Sequence, residues 1–174
     1  MSNDTIAGSG LEKMFYGQIL SILVIIPLVG WIAAIVGIVL FLVGLHEAAG
    51  ADEGYRTAFY VEIGILVLSV LSVFIGGLSI VTSILSLVVI YLVCTTTAGL
   101  LEVKGDLGTA ARGRFAWKFY GGCTAVVVVC SILSLIPLVN ILAMVVIVPA
   151  SIASVVGGIL LLIFLYRACK SLRY

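Results

Sequence analysis

A few stretches of this chain carry residue types that could do chemistry. His46-Glu47-Ala48-Ala49-Gly50 has the opening of a zinc-protease helix, in which two histidines four residues apart hold the metal. The second histidine is missing and His46 is the only one in the sequence, so no three-ligand zinc site follows from it. Ala7-Gly8-Ser9-Gly10 fails the G-x-S-x-G nucleophile elbow at its first position. Ser9 is better placed as an N-cap, with Glu12 completing a capping box for the first helix. The four cysteines, Cys94, Cys123, Cys130 and Cys169, show no C-x-x-C spacing and read as small apolar side chains. No cofactor, metal site or catalytic residue is expected, and the chain does not read as an enzyme.

Polar residues set in apolar surroundings are the remaining candidates. Glu62 lies two residues past the dipeptide Phe59-Tyr60, and an ionisable group at depth in an apolar segment marks function by default. At this height, snorkelling to the interface or pairing with Arg56 competes with that role, and Gln18, placed equivalently after Phe15-Tyr16, supports an interfacial position. Ser69, Ser72, Ser79, Ser83 and Ser86 recur at helical spacing and could line a hydrated path. A packing seam whose hydroxyls bond back to the preceding turn is the preferred reading, since pore linings normally recruit something more polar. Glu62, Ser69, Ser72 and Ser83 form the candidate membrane polar site. Asp106-Leu107-Gly108-Thr109-Ala110-Ala111-Arg112 lacks the adjacent Asp-Gly and the later paired aspartates of membrane phosphatidyltransferases, and is set aside.

These residues must be positioned by a very apolar chain. Of 174 residues 63% are hydrophobic and 10% charged, against about 25% charge in a soluble domain. Mean hydropathy is +1.37. Uncharged blocks run over residues 14–45, 63–101 and 119–166, which are 32, 39 and 48 residues long. At about 1.5 Å per residue each exceeds the roughly 30 Å hydrocarbon core. The reading is an all-α, polytopic helical membrane protein with the lipid bilayer as its principal partner. A net charge of +1 suggests no nucleic acid.

A Phe-Tyr pair stands at or just before the start of each block (Phe15-Tyr16, Phe59-Tyr60, Phe119-Tyr120), and each block has an internal breaker: Pro27–Gly30, Gly76-Gly77 and Pro137–Asn140. Proline removes a donor, and Gly or Asn tolerates the conformations that reverse a chain. Ser21-Ile22-Leu23 and Ser131-Ile132-Leu133 precede the two prolines at equal distance, so duplicated or triplicated hairpins are the economical explanation. This predicts one membrane domain, 1–174, of six transmembrane helices in three hairpins, about 11–48, 57–101 and 115–168. The alternative is five spans, with residues 18–45 as one helix kinked at Pro27. The first block is barely long enough for two crossings, so its hairpin either starts earlier, from Leu11 onward, or is re-entrant and stops short. Six spans place all nine Lys and Arg on one face. Basic loops stay inside, so both termini and the charged loops are expected in the cytoplasm.

Helices associate in lipid through small residues. Gly30, Gly37 and Gly44 recur every seven residues, and Ala150, Ser154 and Gly158 form a small-xxx-small ladder in the last helix. Phe15, Tyr16, Phe59, Tyr60, Arg112, Arg114, Trp117, Phe119 and Tyr120 combine aromatic and basic character suited to the membrane interface.

The turn Ile26-Pro27-Leu28-Val29-Gly30, the glycine-spaced helix through Gly37 and Gly44, and Gly54-Tyr55-Arg56-Thr57-Ala58-Phe59 resemble a group of small prokaryotic integral membrane proteins of the domain-of-unknown-function type. The resemblance covers about 45 residues of the first third. It implies a prokaryotic cytoplasmic membrane and no activity. The expected function is non-enzymatic, acting through helix packing as a homo-oligomer or beside another membrane protein. A channel or transporter for a small solute or ion is the alternative, followed by a membrane-shaping hairpin protein.

Overall fold

Each uncharged block folds as an antiparallel pair of helices. The computed structural model describes residues 3–23, 29–72, 74–75, 78–133 and 140–173. The first pair is α1 (Asn3–Ile22) and α2 (Val29–Ala48), the second α3 (Glu53–Ser72) and α4 (Leu78–Val103), the third α5 (Leu107–Leu133) and α6 (Asn140–Arg173). No strand occurs among the described residues. The breakers Pro27, Gly76, Gly77 and Pro137 lie outside them.

Five of the six helices, α2 to α6, are long and apolar enough to cross a membrane. The protein is an all-α, multi-pass membrane protein. Its lipid-facing surface is apolar: Trp31 is 81% exposed and Val145 69%. In water such a surface would be an aggregation hazard, whereas in hydrocarbon it is the solvated state.

Residues 18–45 do not form one kinked helix, because α1 ends at Ile22 and α2 runs back along it. The first hairpin starts earlier than the uncharged block, and earlier than Leu11, at Asn3. Both limbs have 20 residues, about 30 Å each. The extra length comes from the polar N-terminal segment, which is helical from Asn3 with Asp4 in its first turn. Ser9 is therefore an interior residue rather than an N-cap, and Glu12 bonds to Arg173 instead of closing a capping box. Packing accounts for the extension: Ala7, Gly8, Gly10 and Leu11 are all buried. The other hairpins also start and end beyond the apolar limits, because their helices continue to the next cap.

Glycine sets the approach of α1 to α2. A Cβ on Gly10 would lie 2.5 Å from the Gly44 carbonyl oxygen, and one on Gly44 2.5 Å from that of Gly10. Gly17 and Gly37 repeat this one heptad along, at 2.6 and 2.7 Å. The stripe of Gly37 and Gly44 thus meets a matching stripe on α1 at backbone contact, and Gly30 is buried on the same helix.

Neighbouring helices close into a ring: α1 packs on α2 and α6, α3 on α2 and α4, α5 on α4 and α6, with α2–α3 the thinnest seam. Every adjacent pair is antiparallel, so the termini and the loops 49–52 and 104–106 share one end. That end is tightly packed: Leu11, Met14, Leu45, Tyr55, Thr97, Leu101, Phe164, Leu165 and Leu172 are all 1% exposed or less. Ion pairs lace its rim, joining Lys13 to Glu47, Arg173 to Glu12 and, at 2.6 Å, Arg114 to Glu102. Partly exposed pairs of this kind contribute about 0–1 kcal/mol each.

The α4–α5 turn is a helix stop followed by a helix start. Gly105 takes φ +89°, its N–H donates to Glu102 O at 3.0 Å, and the Asp106 N–H donates to Leu101 O at 2.8 Å. This double bond pattern satisfies the last carbonyls of α4. Asp106 then caps α5, accepting the Thr109 N–H at 3.0 Å. The Thr109 backbone bond, with hydroxyls of Thr109 and Ser171, holds its carboxyl below the ordinary aspartate range. A lowered folded-state value means the cap contribution is complete above about pH 4 and is lost as pH falls below it. Asp106→Ala is expected to cost about 1 kcal/mol at neutral pH, while Asp106→Asn keeps the cap and removes this part of the acid dependence. Unfolding of the three proteins in micelles at pH 7 and pH 3 checks both.

Candidate functional site: a chamber inside the helix ring

Away from the sealed end the ring is hollow. One open lobe of about 280 Å³ lies between α1, α2, α3 and α4, lined by Gly17, Gln18, Ser21, Phe41, Glu62 and Ser86 among others. A second, of about 560 Å³, lies between α1, α4, α5 and α6, where Tyr120, Ser154 and Gly158 join Gln18 and Ser21. Gln18 and Ile90 line both lobes and also a small void beneath them. That void, about 10 Å³ between Met14, Val93, Cys94 and Leu165, is at the lower limit for one water and forms the floor of the chamber.

Glu62 is the tenth of the 20 residues of α3, about 14 Å from its start. It sits midway along the helix, at the edge of the uncharged run that begins at Ile63, and Phe59 and Tyr60 lie within α3 rather than at its start, which is Glu53. Among the described residues Glu62 makes no ion pair or hydrogen bond, and Arg56 does not pair with it. Gln18 shares its cavity.

The chamber's hydroxyls point their protons at their own helices. Ser21 donates to Gly17 O at 3.0 Å, Ser86 to Thr82 O at 2.9 Å and Ser154 to Ala150 O at 2.9 Å. Ser69, Ser72 and Ser83 do not join Glu62. Ser69 is exposed, Ser72 donates to Ser69 O at 2.7 Å and Ser83 to Ser79 O at 2.8 Å. The back-bonded seam is thus the state of most of the serine ladder, and only Ser86 turns into the chamber. The break in the ladder has a simple cause, since residues before and after Gly76-Gly77 belong to antiparallel helices.

The ladder of α6 is rotated from its expected role. A Cβ on Gly158 would meet nothing within 4 Å, whereas one on Gly157 would meet Tyr120 at 3.1–3.2 Å. The buried face of α6 runs through Gly157, Leu161, Phe164, Ala168 and Leu172, and Phe164 fills the space a side chain on Gly113 would need. Ser154 and Gly158 face the chamber, and Ala150 is half-buried.

Only some of the interface aromatics point outward. Tyr16 and Tyr60 are exposed, but Phe15 packs on Tyr166 with ring centres 5.5 Å apart and Phe59 on His46 at 5.0 Å. Trp117 meets Tyr91 edge-on at 4.9 Å, Phe119 stacks on Phe115 at 6.1 Å, and Tyr120 lies against Gly157. Arg112 is exposed and Arg114 pairs with Glu102. Among the described residues no group of three His, Cys, Asp or Glu side chains could hold a metal.

Sequence reading missed Gly10, Gly17 and the chamber roles of Gln18, Ser21 and Ser86. A signal existed for the glycines: Gly10 and Gly17 are seven residues apart, as are Gly37 and Gly44. No family model matches the chain, and no curated protein or solved structure is similar to it.

Proposed function

We propose that this is a non-enzymatic membrane protein of the transporter or channel class, which takes a small solute into the chamber around Gln18 and Glu62. The observation that carries the reading is a carboxylate midway along α3, without a partner among the described residues, facing a cavity with an amide and two serines. An intramembrane carboxylate is costly, and such groups face pathways or sites when they occur. The closed packing at the loop end supports a gated transporter rather than an open pore. The reading places both termini and the basic loops on the cytoplasmic side, following the one-sided distribution of Lys and Arg, and takes a prokaryotic cytoplasmic membrane from the resemblance of the first third.

The glycine stripe of α2 lends little to oligomer formation, because α1 occupies it.

Flux assays in liposomes decide for or against transport. Reconstituted protein is expected to move at least one of glycerol, potassium and methylammonium above the rate of empty vesicles. Glu62→Gln or Gln18→Leu should abolish most of that flux. Rates equal to empty vesicles for all three solutes would remove the transport reading.

A further inference from the structure

The chamber has a chemical polarity of its own. Ser21 and Ser86 have committed their protons to Gly17 O and Thr82 O, so each offers a guest only the lone pairs of its oxygen. Glu62, when ionised, accepts and does not donate. Gln18 supplies an acceptor carbonyl together with the lobe's one side-chain N–H donor group. No Lys, Arg or His lines this lobe. Basic groups on the helices that bound it are placed elsewhere: Lys13 is paired with Glu47, Arg56 is exposed earlier on α3, and His46 packs on Phe59.

An anion would meet a carboxylate and oxygen lone pairs, and a neutral acceptor would find a single amide. The matching guest carries positive charge and N–H donors. The rest of the lining is apolar, with Ile38, Phe41, Val89 and Ile90 along the walls of the lobe. A volume of about 280 Å³ lies at the small end of ligand pockets. Phe41 adds a ring that can face a cation. These features favour an organic ammonium with a short apolar body over a bare metal ion, which would need more oxygen ligands than this lobe holds.

We propose that the lobe between α1 and α4 binds a small protonated amine, with Glu62 as its counter-charge, Ser21 and Ser86 as hydrogen-bond acceptors and Phe41 and Ile90 around its apolar body. This rests on the chamber being a solute site, and it assigns the class of solute.

The probe is n-butylammonium at neutral pH, with 1-butanol as its neutral analogue and sodium as the bare cation, each titrated against the full chain in detergent micelles. Butylammonium is expected to bind saturably, at least tenfold more tightly than butanol or sodium. Glu62→Gln, which keeps size and removes charge, should weaken it at least tenfold. Ser86→Ala should weaken it a few-fold, and Ser83→Ala, outside the lobe, should leave it unchanged. Thermal unfolding midpoints of the variants separate lost binding from lost folding, and Glu62→Asp provides a second, charge-retaining variant expected to bind. Equal binding of butanol and butylammonium, no binding of butylammonium, or full retention in a folded Glu62→Gln protein would each overturn the assignment. Glycerol flux that needs Gln18 in a protein indifferent to butylammonium would overturn the amine while leaving the solute chamber intact.

Discussion

Gly44→Ala is expected to destabilise the first hairpin by about 3 kcal/mol, the upper end of the usual cost of overpacking. The cost is high because the new methyl would meet backbone, with Gly10 O at 2.5 Å and Met14 N at 2.8 Å, and a backbone cannot rotate away as a side-chain tip can. The helices would have to separate, giving up dispersion contacts along their length, and in lipid those contacts are the main force joining them. Gly10→Ala should behave alike. The double variant should cost clearly less than the sum, since helices already parted for one methyl have room for the other. Gly158→Ala and Gly64→Ala, whose Cβ positions meet nothing within 4 Å, should stay within about 0.5 kcal/mol of the parent. Unfolding of the micelle-bound protein by increasing SDS measures all five. A parental midpoint for Gly44→Ala would mean that α1 and α2 do not meet through this face.

The second large effect is expected at Tyr55, which is fully buried where α3 meets α4. Its hydroxyl lies 2.6 Å from Thr97 Oγ1, and the Thr97 hydroxyl donates to Val93 O at 2.6 Å. With the threonine proton committed to the backbone, Tyr55 is the donor. Three substitutions divide the interaction. Tyr55→Ala opens a cavity in the sealed end and should cost about 3–5 kcal/mol. Thr97→Val leaves the buried tyrosine hydroxyl without its acceptor, at about 1–3 kcal/mol. Tyr55→Phe removes the donor but leaves Thr97 satisfied by Val93, at about 1 kcal/mol. The expected order of unfolding midpoints is therefore Tyr55→Phe, Thr97→Val, Tyr55→Ala from most to least stable. Thr97→Val proving milder than Tyr55→Phe would reverse the direction of the hydrogen bond.

Much of this architecture is written in one dimension. Charge-free blocks longer than a bilayer is thick, each interrupted near its middle, determine six helices, three hairpins and a lipid-facing surface, because hydrocarbon accepts no unpaired backbone and no stranded charge. The seven-residue recurrence of Gly37 and Gly44 likewise determines that α2 has one face built for close approach. What pattern alone does not determine is how far each helix turns about its own axis. A soluble helix marks its inner face by apolar contrast, but these helices are apolar on every side, so Gly157 and Gly158 look equivalent until Tyr120 occupies one of them. Only the tertiary structure decided that Gly10 and Gly17 answer the stripe on α2, and that Ser86 alone among the ladder turns inward. It also decided that Glu62 shares a chamber with Gln18, because that meeting depends on how each helix is rotated in a medium that leaves rotation to packing alone.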